Sequence, residues 1–127
     1  MQGKHLYEYA VIRVLPVIER GEFVNVGLIL FSKRAKYIHA RFLLDPRKTA
    51  FFPPDFDFEF LKANLEALCT IAEGCKKGGT IASLDLPERF RWLTAVRSTT
   101  IQTSRPHPGF AADLDQAFDA LFRELVL

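Results

Sequence analysis

Hydrophobic residues run together or alternate with polar ones in three segments near the start of the chain, and each segment predicts a β-strand. Leu6–Leu15 is rich in β-branched and aromatic residues and ends before Pro16. Glu22–Ser32 is a longer segment of the same kind, and Tyr37–Leu44 is the third. The polar cluster Lys33–Lys36 is short enough for a hairpin turn. These three segments predict an antiparallel meander.

In the second half, apolar residues recur every three or four positions and predict helices. Asp57 is the expected N-cap of the first helix and Gly74 its stop, with an apolar stripe made by Phe58, Leu61, Leu65, Leu68 and Ala72. A shorter helix follows Asp85, which precedes Glu88 as in a capping box. The last helix has early aspartates and an apolar face of Leu114, Phe118, Leu121, Phe122 and Leu125.

Between these helices, Ser98–Thr103 is β-branched enough for a fourth strand, which Arg105–Gly109 interrupts. The proline-rich segment Phe51–Asp57 and the pair Gly78–Gly79 predict a loop and a turn. Strands followed by helices with one-sided apolar stripes predict an α+β fold, a mostly antiparallel sheet of about four strands with helices packed on one face. Residues 1–127, at 14.5 kDa, fit a single domain with its own core.

Charge is nearly balanced overall but unevenly distributed. The 17 Lys and Arg residues against 15 Asp and Glu give a net charge of +2, which excludes a strong overall attraction to nucleic acid or acidic lipid. The stretch Lys33–Lys48 is nevertheless basic, and Ala111–Leu127 is acidic. We expect two charged surfaces of opposite sign.

Cysteine usage and hydropathy predict a cytoplasmic location. Cys69 and Cys75 lack the second pair that a tetrahedral zinc site needs, and we interpret them as buried free thiols in a reducing compartment. Lys4 and Glu8 interrupt any apolar region of a signal peptide. No stretch approaches the roughly 18 apolar residues of a membrane span, so no membrane association is expected.

Several runs of residues together resemble a known family. They are YAVIRVLP, RGEFVNVGLILF, FRWLTAVRSTTIQTSRPHPG and the closing acidic helix. The combination resembles the bacterial domain of unknown function family 3037 from Tyr9 to about Leu125. The resemblance implies a small soluble bacterial protein that is often encoded near a kinase-like protein of the HipA type, and hence a protein partner. It implies no catalytic residues.

A first group of candidate ligand-binding residues lies on the predicted strands. Strand alternation puts Arg13 and Asn25 on one sheet face, which Arg41 joins from the third strand. The aliphatic row of Val24, Val26, Leu28 and Leu30 is expected to face the helices instead. Guanidinium groups bind phosphate or carboxylate bidentately, so these residues are candidates for an anion site. The other interpretation is a solvated sheet face.

A second group follows the short helix. Arg91, Arg97, Ser98 and Thr99 surround Trp92 and offer guanidinium and hydroxyl groups to a phosphate. The alternative is that these arginines cover apolar surface while their charged ends stay in water. Trp92 is expected to anchor the core rather than to stack on a base, because its neighbours are apolar.

No pattern points to a catalytic residue, a metal or a cofactor. His5, His39 and His107 lack metal-ligand spacing, and no nucleophile stands in a recognised elbow. Glycine patterns of nucleotide-binding folds are absent from the sequence. Gly21 is predicted to adopt a positive φ in a hairpin connector, and Gly27 to mark a bulge or a close approach of another backbone.

The hypothesis from sequence is a non-catalytic accessory or binding module that acts through a protein partner, with the two charged segments setting specificity. The alternative is a small enzyme or nucleic-acid-handling domain that holds a phosphate-bearing substrate through Arg13, Asn25, Arg91 and Arg97. Salt separates these hypotheses, because a binder of the phosphate backbone loses affinity steeply as salt rises.

Overall fold

The computed structural model describes residues 3–73, 84–95 and 100–127. Within them, the strands are β1 (His5–Val14), β2 (Val24–Ser32), β3 (Tyr37–Phe42), β4 (Ile101–Thr103) and β5 (His107–Ala111). The helices are α1 (Pro46–Thr49), α2 (Phe58–Ala72), α3 (Leu86–Leu93) and α4 (Leu114–Leu125), and a 3-10 turn spans Ile18–Arg20. The α+β fold with an antiparallel sheet is confirmed. The predicted turn at Gly78–Gly79, the stop at Gly74 and Cys75 lie outside the described residues.

The sheet is organised around β1. Its strand order is β3-β2-β1-β4, and β5 also pairs with β1, so the sheet has five strands. All of the pairings are antiparallel, which confirms the predicted β1-β2-β3 meander. β4 pairs with Ile12–Val14 and β5 with His5–Tyr9, so the two short strands lie one after the other along the same edge of β1.

β5 was not predicted from the sequence, which indicated an interruption at Arg105–Gly109. In the structure Pro108 lies opposite Glu8 within β5. β1 is its neighbour on one side, and a proline is tolerated in an edge strand because its missing N–H is not needed for pairing on the open side. The sequence prediction therefore missed β5 because it did not allow for a proline within an edge strand.

An aspartate N-cap begins each of the four described helices. Asp57 accepts a hydrogen bond from the Phe60 N–H at 2.9 Å, which confirms the predicted start of α2. Asp85 and Asp113 cap α3 and α4 in the same way, and Asp45 caps the short helix α1 by accepting from the Arg47 N–H. These caps satisfy backbone donors that a helix start leaves unpaired.

Helices cover both faces of the sheet, and the prediction that they pack on one face is wrong. One core cluster joins Ile12, Ile29 and Phe31 to α2 and α3. A second cluster joins Val11, Leu28 and Leu30 to α4, with Leu114, Phe118 and Phe122 as the helix contribution. The physical reason is that both faces of β1 and β2 carry large apolar residues, and each face must be buried.

A bulge in β2 divides the aliphatic row that was expected to share one face. Ile12 pairs with Gly27 and Arg13 with Asn25, so Val26 has no opposite residue on β1. Val26 therefore packs with the α2/α3 cluster, whereas Leu28 and Leu30 pack with α4.

Gly27 lies where this bulge brings two backbones together. A Cβ at this position would stand 2.6 Å from the carbonyl oxygen of Arg41 and 2.9 Å from the Ile12 side chain. The predicted bulge and close approach are both present. Gly21, with φ +72°, ends the 3-10 turn and confirms the other glycine prediction.

Candidate functional site

Arg13, Asn25 and Arg41 share the sheet face on which α4 packs. Arg13 lies directly opposite Asn25, and Arg41 lies opposite Leu28. Residues directly opposite one another in an antiparallel pair project to the same side. The prediction that they share a face is confirmed, but that face is not open, because α4 covers part of it.

Arg41 is engaged with α4. Its Nη2 lies 2.8 Å from Asp119 Oδ1, and its guanidinium carbon is 4.6 Å from the centre of the Phe122 ring. The basic segment that contains β3 and the acidic last helix therefore contact each other within the chain. In this arrangement Arg41 orients α4, and its charge is already balanced.

Polar contacts hold α4 at both of its ends. Near its start, the Tyr37 hydroxyl donates to Asp115 at 2.8 Å, and burial, followed by this carboxylate, raises the Tyr37 pKa. At its end, Asn25 Nδ2 donates to the Leu125 carbonyl oxygen at 3.1 Å. Lys48 Nζ donates to the carbonyl oxygens of Asn25 and Val126, and burial lowers the Lys48 pKa. These cationic and amide donors satisfy carbonyls that a helix end leaves unpaired.

Arg13 has a different environment from Arg41. Its guanidinium carbon lies 4.2 Å from the centre of the Phe23 ring, a cation–π distance. Among the residues that the structure describes, none accepts a hydrogen bond from Arg13, and its buried Nε has no partner. The neighbouring Asn25 Oδ1 is also buried without a donor. This is the part of the predicted anion site that retains unused polar groups.

The second predicted group is not joined to the first by the described residues. Arg91 is exposed, and its Nε donates to the Pro87 carbonyl oxygen within α3 at 3.3 Å. Because α3 packs on the sheet face opposite α4, Arg91 and Arg13 belong to different faces. Arg97, Ser98 and Thr99 lie outside the described residues.

His39, His107 and Cys69 pack against neighbouring side chains. The His39 ring lies tilted at 4.5 Å from the Phe118 ring, and the His107 ring lies 5.4 Å from the Tyr9 ring. Burial raises the pKa of the Cys69 thiol to about 11, so the thiol is protonated at neutral pH. Within residues 3–73, 84–95 and 100–127, no three His, Cys, Asp or Glu side chains gather as a metal site would require.

Sequence reasoning missed a groove between α2, α3 and β4. The main cavity has a volume of about 410 Å³, with a lining that includes Phe60, Leu68, Ile71, Trp92, Ile101 and Gln102. A second cavity of about 210 Å³ continues from it toward the start of α2. The two cavities share the lining residues Phe60, Asn64, Thr100 and Ile101, so they lie side by side, and together we call them the α2–β4 groove.

Two aromatic residues leave a large part of their surface exposed at this groove. Phe60 is 68% exposed and Trp92 is 37% exposed. The expectation that Trp92 anchors the core is therefore wrong: in α3 the buried positions are Arg89, Phe90 and Leu93, and Trp92 projects toward the groove. The signal that could have shown the groove is Phe60 itself, an aromatic residue outside the apolar stripe of α2.

Comparisons with known proteins give a family without an activity. Residues 9–126 match the model of a family described as "Protein of unknown function (DUF3037)". No curated protein and no solved structure matches the chain. In the described part of the chain, no helix has the length and apolar character needed to cross a membrane.

Proposed function

The chain belongs to the DUF3037 family, and we propose that it is a non-catalytic binding module whose α2–β4 groove holds an apolar segment of a protein partner. The groove is the observation that carries this proposal. Its larger cavity is lined, among the described residues, by aliphatic, aromatic, amide and hydroxyl side chains without a charged one. Such a lining favours an uncharged apolar ligand.

The shape of the groove favours a segment of chain over a compact small molecule. The two adjacent cavities extend along α2 from Phe60 to Ile71, and the smaller one also reaches Phe56 in the loop before the helix. A helix rises about 1.5 Å per residue, so this length suits several consecutive side chains of a peptide. Exposed aromatics such as Phe60 and Trp92 are also typical anchors of protein interfaces.

The chemistry of the lining supports a non-catalytic role. Asp57 is the carboxylate in the described lining of the smaller cavity, and it accepts the capping hydrogen bond from Phe60. General acid–base catalysis needs titratable groups poised near the reacting atoms. The groove offers amides and hydroxyls, which orient a ligand through hydrogen bonds.

In this proposal the module works in the bacterial cytoplasm, where a reducing environment keeps Cys69 as a free thiol. A HipA-type kinase is the partner class that the family resemblance suggests. Lys33, Arg34 and Lys36, all in or beside the exposed β2–β3 turn, would steer an acidic partner surface toward the module.

The test uses the single tryptophan of the chain, Trp92, as a reporter inside the groove. The purified protein is titrated with peptides selected from a random displayed library and, separately, with a purified HipA-type kinase. We expect a change in Trp92 fluorescence, selected peptides rich in aromatic and large aliphatic residues, and affinity that changes little with salt.

Phe60→Ser and Phe110→Ser form a matched pair of variants. Both side chains are more than half exposed, but Phe110 lies on β5, away from the groove. We expect Phe60→Ser to weaken binding about tenfold or more, as loss of a hot-spot residue does, and Phe110→Ser to leave it unchanged. Equal affinity for both variants would overturn the proposal, and so would binding confined to nucleic acid at low salt.

A further inference from the structure

The helix α4 covers only part of its face of the sheet. Its Phe118 ring lies 4.5 Å from the His39 ring of β3, and its Leu125 carbonyl oxygen accepts a hydrogen bond from Asn25 of β2. These contacts place the helix over β2 and β3. The same face continues across β1 to β5, which forms the edge of the sheet.

Three rings in contact with one another lie on this continuation of the face. Tyr7 and Tyr9 project to the same side of β1 as Val11, a member of the α4 cluster, and His107 lies opposite Tyr9 on β5. The ring centres of Tyr7 and Tyr9 are 6.3 Å apart, and those of Tyr9 and His107 are 5.4 Å apart. Both tyrosines are partly exposed and His107 is exposed. We call Tyr7, Tyr9 and His107 the aromatic strip.

Gly109 allows the Tyr7 ring to extend across β5. Gly109 lies opposite Tyr7, and a Cβ at this position would overlap the Cζ and hydroxyl oxygen of Tyr7. The ring therefore occupies the space that a side chain of β5 would fill. A ring with a strand beneath it is approached from its outer side, and the partial exposure of Tyr7 shows that this side is open.

Cationic residues without acidic partners stand at both ends of the aromatic strip. Lys4 immediately precedes β1, and Arg105 lies two residues before His107. Both are exposed. Within the part of the chain that the structure describes, no carboxylate forms an ion pair with either of them. Their charges are therefore available to a ligand.

The acidic residues nearest to the strip are directed elsewhere. Glu8 alternates with the two tyrosines along β1 and so projects to the opposite face of the sheet. Asp113, which follows β5, caps α4 by accepting a hydrogen bond from the Gln116 N–H at 3.1 Å. Asp115 accepts a hydrogen bond from the Tyr37 hydroxyl. An anionic ligand on the strip thus meets cations at its ends.

Rings flanked by cations have the chemistry that binds single-stranded nucleic acid. Every base has a π face that stacks on an aromatic side chain, and Lys and Arg bind the phosphates between the bases. A duplex keeps its base faces inside its own stack, and an apolar peptide gains nothing from the exposed cations. The strip is short and the net charge of the chain is only +2, so a segment of a few nucleotides is the appropriate ligand.

We propose that the aromatic strip binds a short segment of single-stranded nucleic acid. Bases stack on Tyr7, Tyr9 and His107, and Lys4 and Arg105 bind phosphates at the two ends. The strip lies on the sheet face opposite the α2–β4 groove, so this activity is separate from peptide binding in the groove.

The probes are fluorescein-labelled oligonucleotides of about eight nucleotides, which matches the usual site sizes for single strands. Oligo(dT) represents DNA, oligo(U) represents RNA, and a blunt duplex of mixed sequence is the comparison. Fluorescence anisotropy measures binding to the intact protein. We expect both single strands to bind more tightly than the duplex, and their relative affinity shows whether DNA or RNA is preferred. With two phosphates bound, affinity should fall about five- to tenfold between about 50 mM and about 200 mM salt.

Two matched pairs of variants test the rings and the charges. Tyr9→Leu removes the central ring and keeps an apolar side chain, whereas Phe110→Leu removes an exposed ring of β5 that projects to the opposite face. We expect Tyr9→Leu to weaken binding about tenfold, the scale of one lost stacking contact, and Phe110→Leu to retain full affinity. Arg105→Gln should weaken binding and reduce its salt dependence, whereas Arg91→Gln, at an exposed position of α3, should change neither.

Gly109→Ala tests the position of a ring while every ring and every charge is retained. The new methyl group would displace the Tyr7 ring from its place over β5. We expect single-strand affinity to fall severalfold. Thermal unfolding of each variant shows that it is folded, and Tyr9→Leu carries the test if Gly109→Ala is not folded.

Three results would overturn the proposal. The first is that neither single strand binds to the unaltered protein. The second is that the duplex binds as tightly as the single strands, which would mean that charge alone acts. The third is that Tyr9→Leu and Phe110→Leu have the same affinity. Peptide binding, followed through Trp92, should be unchanged in Tyr9→Leu, so the strip and the α2–β4 groove succeed or fail separately.

Discussion

The two faces of the sheet are covered by helices in different ways. On one face, α2 and α3 pack through a cluster of apolar side chains, in which the Phe31 and Phe90 rings stack at 5.0 Å. On the other face, α4 adds polar contacts to its apolar stripe, including an ion pair between Arg41 and Asp119. The first face leaves a groove beside its helices, and the second carries Arg13 and Asn25 opposite each other near the end of its helix.

This difference shows that apolar burial and hydrogen bonds contribute differently to the packing of a helix on the sheet. Apolar burial is strong but not directional, so it tolerates the spacing between α2, α3 and β4 that opens the groove. Hydrogen bonds have a preferred geometry, so Asn25 and Tyr37 fix the position of α4 along the sheet. One face is therefore suited to accept an apolar partner, and the other to present fixed polar groups.

The largest expected effect is on the free energy of unfolding, and it distinguishes a core residue from a groove residue on the α2/α3 face. Phe90 is 2% exposed, and Phe90→Ala should lower the free energy of unfolding by about 3–5 kcal/mol because it leaves a cavity. Phe60 lines the groove at 68% exposed, and Phe60→Ala should cost less than about 0.5 kcal/mol. Urea unfolding measures both. Similar losses for the two variants would mean that the groove is part of the core.

A smaller effect tests the bulge that sends neighbouring residues of β2 to different faces. In Gly27→Ala the new methyl group would stand 2.6 Å from the Arg41 carbonyl oxygen, a backbone atom that is fixed by pairing with β2. We expect a loss of about 1–3 kcal/mol in the free energy of unfolding. An unchanged urea midpoint would show that β2 and β3 have room to move apart.

The polar contacts of α4 should contribute less than its apolar stripe. The Arg41 and Asp119 side chains are 47% and 64% exposed, so their coupling in a double-mutant cycle should be about 0.2–1 kcal/mol. Salt should reduce this coupling and leave the loss in Phe90→Ala unchanged. A coupling that is insensitive to salt would contradict the view that the pair acts through exposed charges.

A further effect on the α2/α3 face depends on pH and becomes visible only in alkaline solution. Burial, followed by Glu73 and Glu66, raises the Cys69 pKa from 9.0 to about 11. The native state therefore keeps a proton that the unfolded state releases, and stability should fall as pH rises from about 9 toward 11. In a Cys75→Ser background, Cys69→Ala should flatten this fall in urea unfolding. An identical pH dependence in both proteins would exclude Cys69 as its source.

The elements that could be predicted from sequence are those in which local pattern and tertiary packing agree. The stripe and N-cap of α2 made its start at Asp57 predictable. The second covered face was not, because β2 is apolar on both sides: Ile29 and Phe31 pack against α2 and α3, whereas Leu28 and Leu30 pack against α4. β5 was missed because a strand containing Pro108 depends on its edge position, which a sequence does not show.

The candidate sites also contain some residues that the sequence could place and others that it could not. Strand alternation was sufficient to bring Arg13 and Asn25 together, since register is a local property once β1 and β2 pair. It could not show that Arg41 has a partner in Asp119, which lies 78 residues further along the chain. The groove was unpredictable for the same reason, because α2 and β4 become neighbours only in the folded chain.

The central position of β1 has a consequence for the order in which the chain folds. β1 can pair with β2 as soon as both leave the ribosome, but its other edge waits for β4 and β5. The hydrogen bond from the Val11 N–H to Ser104 Oγ spans 93 residues. Contacts of such long sequence separation slow folding and leave a strand edge open in the meantime. During synthesis, the N-terminal meander therefore presents an unpaired edge that a chaperone is suited to shield.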